Sequence, residues 1–413
     1  MNGILEGTTL LLKSLLLKPD MLPNVPEVYF KYFQFLPVLG IFFLLSLILT
    51  PLVGRLALKL KAVYFPGKAR KAEKNPYDNA EKHIHKDITP ALGGIAVIIP
   101  LLLALPLFLG SSNILTPFLI VCLLLLVSGF LDDTYNLLPS IQLATQLIAS
   151  IIIAASVIDL SYINNPFGGS LDLNWWQWST SFLNIAWRFV FPGDLLIIAW
   201  IVLCTNATKW VGGIGGLLEG NMIVAYLLLF ILGIRTGNSF LVVVSIVMIG
   251  GIAGSMIYNL PPAKIFTGST GKTMYGFIIA VLSLVNGAKV ATTIMILALP
   301  LIDAIYVLVS RYIKYRPKNL IELMRINDTS HLHHQLYSMN LSPLQILLIE
   351  ASISMLFGLI AVLTTGAYKF FILLFTIFLL LVGIIYINQK ARIKKEEALK
   401  KSKAQSPESK YSY

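Results

Sequence analysis

Apolar residues along this chain gather into long, nearly unbroken runs rather than the short periodic patterns of soluble helices and strands. Such runs lie near 37–54, 91–109, 114–131, 139–160, 192–208, 217–234, 239–258, 273–286, 289–310, 345–366 and 369–388. Each is long enough, or nearly so, to cross a hydrocarbon core of roughly 30 Å. The pattern predicts an all-α, polytopic membrane helix bundle of about eleven transmembrane helices, with 273–286 its weakest span. Residues 1–36 form an outer N-terminal segment, 37–388 the membrane domain and 389–413 a basic tail. A further apolar stretch, Ile4 to Leu17, is broken by Glu6 and Lys13 and reads as an interfacial or re-entrant segment. No basic region precedes it and no small-residue cleavage site follows, which argues against a cleaved signal peptide.

Composition supports the same class: 56% of residues are hydrophobic, 13% are charged and the mean hydropathy is +0.78, beyond what a soluble core requires. Charge then orients the bundle. The segments 55–90, 132–138, 209–216, 259–272, 311–344 and 389–413 hold 25 of the 32 Lys and Arg residues. The positive-inside tendency puts these six segments, and the C-terminus, on the cytoplasmic side of the plasma membrane. The net charge of +12 therefore reflects topology and anionic lipid. No nucleic acid is expected, because the basic segments lack interleaved aromatic platforms.

Cys122 and Cys204 fall in or at the end of apolar runs without metal-like spacing and read as small core residues. Trp175, Trp176 and Trp178 sit on the long outer loop 161–191, where amphipathic rings anchor at headgroup level; a sugar-stacking platform is the alternative. In the tail, Glu396 and Glu397 are spaced to pair with Lys400 and Lys401 on a helical extension lying along the inner membrane surface.

The distinctive polar sequence lies in the inner segments, which places the site in a cytoplasmic-facing cleft. The segments are His83-Ile84-His85-Lys86 leading to Gly93-Gly94; Phe130-Leu131-Asp132-Asp133; Thr205-Asn206 followed by Gly212 to Gly216; Asn259 to Lys272, including Lys264; and Ser330-His331-Leu332-His333-His334. With Pro300-Leu301-Ile302-Asp303, this ordered set resembles the polyprenyl-phosphate N-acetylhexosamine-1-phosphate transferases over roughly residues 45–345. The resemblance implies transfer of a sugar-1-phosphate from a UDP-amino sugar to a polyprenyl phosphate lipid, with UMP released and Mg²⁺ as cofactor. It implies Asp132 and Asp133 as catalytic and metal residues, and Lys86, Asn206, Asn259, Lys264, His331, His333 and His334 as substrate-binding residues. A phosphate anion must attack a pyrophosphate, so such a site must neutralise several negative charges, commonly with a hard cation on carboxylates.

This chain departs from the family pattern at several of those places. Gln142 stands where the family has lysine; Lys209 replaces an asparagine; Gly212, Gly215 and Ser269 replace aspartates; and Lys272 replaces a serine. Three acids are lost, two lysines gained and one lost, so the formal charge moves by about +4 and an electropositive cleft is expected. An ammonium placed about 4 Å from a cation costs on the order of 4 kcal/mol at an effective dielectric near 20, which stands against the implied Mg²⁺. Lys209 and Lys272 are expected to replace the missing cation by pairing with Asp132 and Asp133; the alternative places both at the inner headgroup boundary.

Gly268-Ser269-Thr270-Gly271-Lys272-Thr273 imitates a phosphate-binding P-loop, but Phe266 stands where that motif requires glycine. The three clustered histidines lack a Cys or carboxylate at zinc-site spacing and suit phosphate better. Asp303, inside a span, is a functional candidate or an inward-facing packing hydrogen bond. Two readings of function stay open: an active sugar-1-phosphate transferase, or a non-catalytic relative that binds lipid phosphate, nucleotide sugar or a partner enzyme. Association as a homodimer or with a partner transferase belongs with the second. A lipid-phosphate transporter is a third, weaker reading.

Overall fold

A computed structural model describes residues 8–18, 27–65, 87–110, 112–156, 158–165, 167–182, 185–285, 290–319, 322–323, 326 and 328–405. In chain order the helices are α1 (Leu10–Leu15), α2 (Glu27–Phe33), α3 (Leu36–Lys59), α4 (Ile95–Leu109), α5 (Leu115–Tyr135), α6 (Pro139–Ser156), α7 (Gly193–Val211) and α8 (Leu217–Thr236). They continue as α9 (Ser239–Asn259), α10 (Gly268–Leu284), α11 (Val290–Ile296), α12 (Ala298–Tyr315), α13 (Leu332–Ser338), α14 (Pro343–Leu363) and α15 (Tyr368–Gln405). Every apolar run is thus helical. Among the described residues, eight helical segments are long and apolar enough to cross a membrane, or nine if α11 and α12, bent by 77°, count as one span. The remaining two expected spans are α4 and α10, with 15 and 17 residues.

The late start of α4 has a local cause. The expected start of the second span, Ala91 to Gly94, does not join α4 but pairs with another part of the chain. Phe266 N–H donates to the Pro90 carbonyl at 2.8 Å, and Gly93 and Gly94 N–H donate to the Phe266 and Thr267 carbonyls at 2.9 Å. A two-residue ladder, β1 (Val63–Tyr64) with β2 (Thr89–Pro90), extends this tie to the end of α3. The bend between α11 and α12 coincides with Pro300, which has no N–H to give the preceding turn.

α8 and α9 form the centre, buried over most of their length, while α3 and α15 turn many apolar side chains outward. Fully buried Tyr226 on α8 donates its hydroxyl to the Tyr275 carbonyl of α10 at 2.8 Å, satisfying a polar group that apolar surroundings would otherwise penalise. Cys122 and Cys204 are free, buried core residues. The short α1 packs against α4 through Thr9, whose N–H reaches the Phe108 carbonyl at 2.8 Å.

The segment expected as a long loop is instead two antiparallel hairpins, β3 (Tyr162–Asn164) with β4 (Ser170–Asp172) and β5 (Asn174–Phe182) with β6 (Ile185–Pro192). Its Trp, Thr, Phe and Val residues favour extended backbone, which overrides the loop reading. Trp175, Trp176 and Trp178 are exposed on β5, at the end of α7 away from Lys209. In the tail, α15 runs on without interruption, and Glu396 pairs with Arg392 at 3.0 Å.

A candidate site at one end of the bundle

The two aspartates close α5, but different neighbours hold them. Asn136 takes the left-handed conformation that ends a helix and donates its N–H to the Asp132 carbonyl at 2.8 Å. That turn brings Leu137 N–H to Asp132 Oδ1 at 2.9 Å, where Gln142 Nε2 also donates at 2.8 Å. Lys209 Nζ lies 3.9 Å from Asp132 Oδ2 and hydrogen-bonds Gln142 Oε1. One amide therefore links the carboxylate to the ammonium, and the expected pairing of Lys209 with Asp132 is present.

Asp133 caps α10 from a distance. Its Oδ1 accepts from Ser269 N–H at 2.8 Å, and its Oδ2 from Thr270 N–H at 3.0 Å and Thr270 Oγ1 at 2.9 Å. The first amides of a helix lack partners within it and carry partial positive charge, so a carboxylate fits there. Small residues permit the approach: a Cβ at Gly94 would lie 2.2 Å from the Gly271 Cα, and one at Gly129 2.6 Å from the Thr270 Cα.

Lys272, one turn into α10, donates to the Gly212 carbonyl at 2.9 Å. A Cβ at Gly212 would meet Lys272 Cε at 2.6 Å and Nζ at 2.9 Å, so the lysine fills the room a side chain at 212 would use. A Cβ at Gly215 would instead lie 2.4 Å from the backbone oxygen of Asn259. Asn259 turns its amide to Glu219 Oε1 at 2.6 Å, and Thr267 Oγ1 donates to the same oxygen. Glu219 is 1% exposed. Among the described residues its Oε2, and Oδ1 of Asn259, have no hydrogen-bond partner.

The histidines close the remaining side. His333 Nε2 would be 2.4 Å, and His334 Nε2 3.3 Å, from a Cβ at Gly213, so both rings lie against the glycine turn. His331 stacks on His333 with centroids 5.7 Å apart. Its Nδ1 is 2.7 Å from Asp303 Oδ2, and Leu332 N–H donates to Asp303 Oδ1 at 2.8 Å. Asp303 thus fixes the start of α13, a more specific task than the packing hydrogen bond weighed from sequence. Arg311 backs the loop with bonds of 3.1 and 2.9 Å to Asp328 Oδ1. Burial opposes the charge on Asp328, but the Arg311 guanidinium and the Ser330 hydrogen bonds together outweigh it and hold the carboxyl below its ordinary range.

The structure therefore gathers Asp132, Asp133, Gln142, Lys209, Gly212, Gly215, Asn259, Ser269, Lys272, His331, His333 and His334 at one end of the bundle. Asn206 stands apart, bonded to Gln146 Oε1 at 2.6 Å between α6 and α7, and Lys264 is exposed at the rim. Lys86 lies outside the described residues. Two buried acids carried less weight in the sequence than in the structure. Glu219 enters the cluster directly. Glu350, 4% exposed within α14, sits 3.5 Å from Asn221 Nδ2; an acid inside an apolar span was the available signal.

Beside Lys209 and Lys272 the cluster also holds Asp132, Asp133 and the buried Glu219. The same arrangement disagrees with Mg²⁺, which requires near-octahedral oxygen ligands. Both Asp133 oxygens and Asp132 Oδ1 are committed to protein donors, and Asp132 Oδ2 faces an ammonium. Among the described residues no group of three or more His, Cys, Asp or Glu side chains is placed to hold a metal.

Fold and site together define a polytopic helical membrane protein with a polar cluster of acids, lysines and histidines at one end of its bundle. Residues 115–287 match the profile of glycosyl transferase family 4. The chain is 27% identical over 343 residues to a probable undecaprenyl-phosphate N-acetylglucosaminyl 1-phosphate transferase of Bacillus subtilis (strain 168), covering 81% of this chain and 86% of that protein. It is 28% identical over 259 residues to the phospho-N-acetylmuramoyl-pentapeptide-transferase of Staphylococcus carnosus (strain TM300), covering 60% and 75%. A similar match, 26% over 275 residues, joins it to the enzyme of that name in Streptococcus suis (strain 05ZYH33), covering 63% and 78%. Over these stretches the chain is similar to glycosyl transferase family 4 and to these transferases.

Proposed function

We propose that this protein engages the substrates of its relatives, a polyprenyl phosphate lipid and a UDP-amino sugar, at the cluster described above, within cell-envelope glycan assembly. It does so as a non-catalytic member, presenting or sequestering lipid phosphate for a partner transferase from the cytoplasmic face of the membrane. One observation carries this reading: protein donors hold both Asp133 oxygens and Asp132 Oδ1, while Lys272 fills the space above Gly212. His333 and His334, laid against the glycine turn, are the side chains assigned to the lipid phosphate; imidazole donors suit a phosphate oxygen.

A second reading keeps sugar-1-phosphate transfer itself. It is favoured by Asp132 Oδ2, whose neighbour is an ammonium rather than a backbone donor, leaving it suited to accept a proton from the lipid phosphate. Purified protein incubated with polyprenyl phosphate and a panel of UDP-amino sugars, with Mg²⁺ or with EDTA, decides between them through UMP release. The non-catalytic reading expects retention of lipid phosphate on the protein and no UMP. UMP release that disappears in Asp132→Asn would establish the transferase instead.

A further inference from the structure

We infer that Lys272 is a covalently tethered resident cation, standing where a divalent ion would balance this cluster, and that glycine at 212 is the condition for its presence. The inference concerns the site proposed above but does not depend on which substrate, if any, occupies it. Three carboxylates, Asp132, Asp133 and Glu219, share the cluster with two ammonium groups. Lys209 is committed to Asp132 through Gln142. Lys272 brings the second ammonium into the cluster, donating to the Gly212 carbonyl at 2.9 Å. Without Lys272 the two aspartates and Glu219 would share the cluster with Lys209 alone, which leaves room for a cation.

Open donor atoms point the same way. Glu219 Oε2 and Asn259 Oδ1 are buried acceptors without hydrogen-bond partners among the described residues, and the two side chains are tied together at 2.6 Å. Hard cations take carboxylate and amide oxygens of this kind. Geometry also couples positions 212 and 272. A side chain at 212 collides only with the far end of Lys272, so the two exclude each other, and shortening one makes room for the other. Position 215 offers no such exchange, because its obstacle is the backbone oxygen of Asn259. An acid can therefore return at 212, with Lys272 removed, and not at 215.

The test is Mn²⁺ binding to detergent-purified protein without lipid or nucleotide, followed by the electron paramagnetic resonance signal of free Mn²⁺, with thermal shift in Mg²⁺ or EDTA alongside. Wild type should show no saturable binding and no shift between Mg²⁺ and EDTA. Lys272→Ser should gain affinity by about tenfold or more, since a like charge about 4 Å from the ion is removed. Gly212→Asp/Lys272→Ser should bind more tightly still, and Glu219→Gln in that background should abolish the gain. Lys272→Met keeps the bulk and removes only the charge, so a smaller gain is expected even if the serine variant folds poorly. Stoichiometric Mn²⁺ binding by wild type, or no gain in either Lys272 variant, would overturn the inference. UMP release by wild type in EDTA would end the non-catalytic reading and leave this one standing.

Discussion

Replacing Gly215 by alanine should damage the protein far more than the same change three residues earlier. At Gly215 the new Cβ would lie 2.4 Å from the Asn259 carbonyl oxygen, well inside van der Waals contact, so one backbone must retreat by well over half an ångström. Neither can do so cheaply. Asn259 closes α9, and its side chain holds Glu219 at 2.6 Å. Overpacking of a filled interior costs about 1–3 kcal/mol, and weakening a hydrogen bond to a charged group about 1.5–3 kcal/mol. The sum, on the order of 3–5 kcal/mol, is a large fraction of typical domain stability. At Gly212 the obstacle is the flexible end of Lys272, which can swing aside, so a loss below about 1 kcal/mol is expected. Fluorescence-detected size exclusion after a temperature ramp ranks the two variants in detergent. Equal melting temperatures, or a more damaging Gly212→Ala, would refute the assignment of a rigid neighbour to one glycine and a yielding one to the other.

Two further outcomes are expected. Gln142→Lys alone should destabilise by on the order of 2 kcal/mol by crowding Lys209, and adding Lys209→Asn should recover most of it; a strictly additive thermal-melt cycle would count against the Gln142 bridge. Asp328 titrates below its ordinary value of 3.8 when folded, so its stabilisation is fully present above that pH and is lost as pH falls through the depressed value. The gap in melting temperature between wild type and Asp328→Asn should stay constant from pH 7 to about 4 and close at lower pH; a gap already closing near neutrality would contradict the Arg311 contact.

Much of the bundle was legible because a membrane span writes itself as a long apolar run: each of the eleven runs holds a helix, and among the described residues eight, or nine with the bent pair, are long and apolar enough to cross. Where α4 begins was not legible, since the strand-like tie of Pro90 to Gly94 involves residues more than 170 positions away. The hairpins did leave a signal in the aromatic and β-branched residues of β5 and β6, but a loop was the simpler reading of a segment between spans. At the site, Asp132 and Asp133 stood out by position at the end of a span. What holds Asp133 did not: its donors are backbone amides, which carry no residue identity. Lys209 could be matched to Asp132 from charge alone, whereas the fit of Lys272 over Gly212 depends on a packed contact 60 residues apart. Glu219 shows the limit of reading substitutions one at a time. Loss of acids from the glycine turn suggested a positive pocket, and the next helix brings a buried acid, Glu219, into the same cluster.

The unbroken length of α15 has a mechanical consequence. Its 38 residues span about 57 Å at 1.5 Å each, against roughly 30 Å of hydrocarbon. The excess, on the order of 25 Å, makes a stiff charged spar rather than a strap. Whatever engages its far end is held at a set stand-off and in a set angular phase to the bundle. Inserting one residue would rotate that attachment by about 100° while lengthening the spar hardly at all.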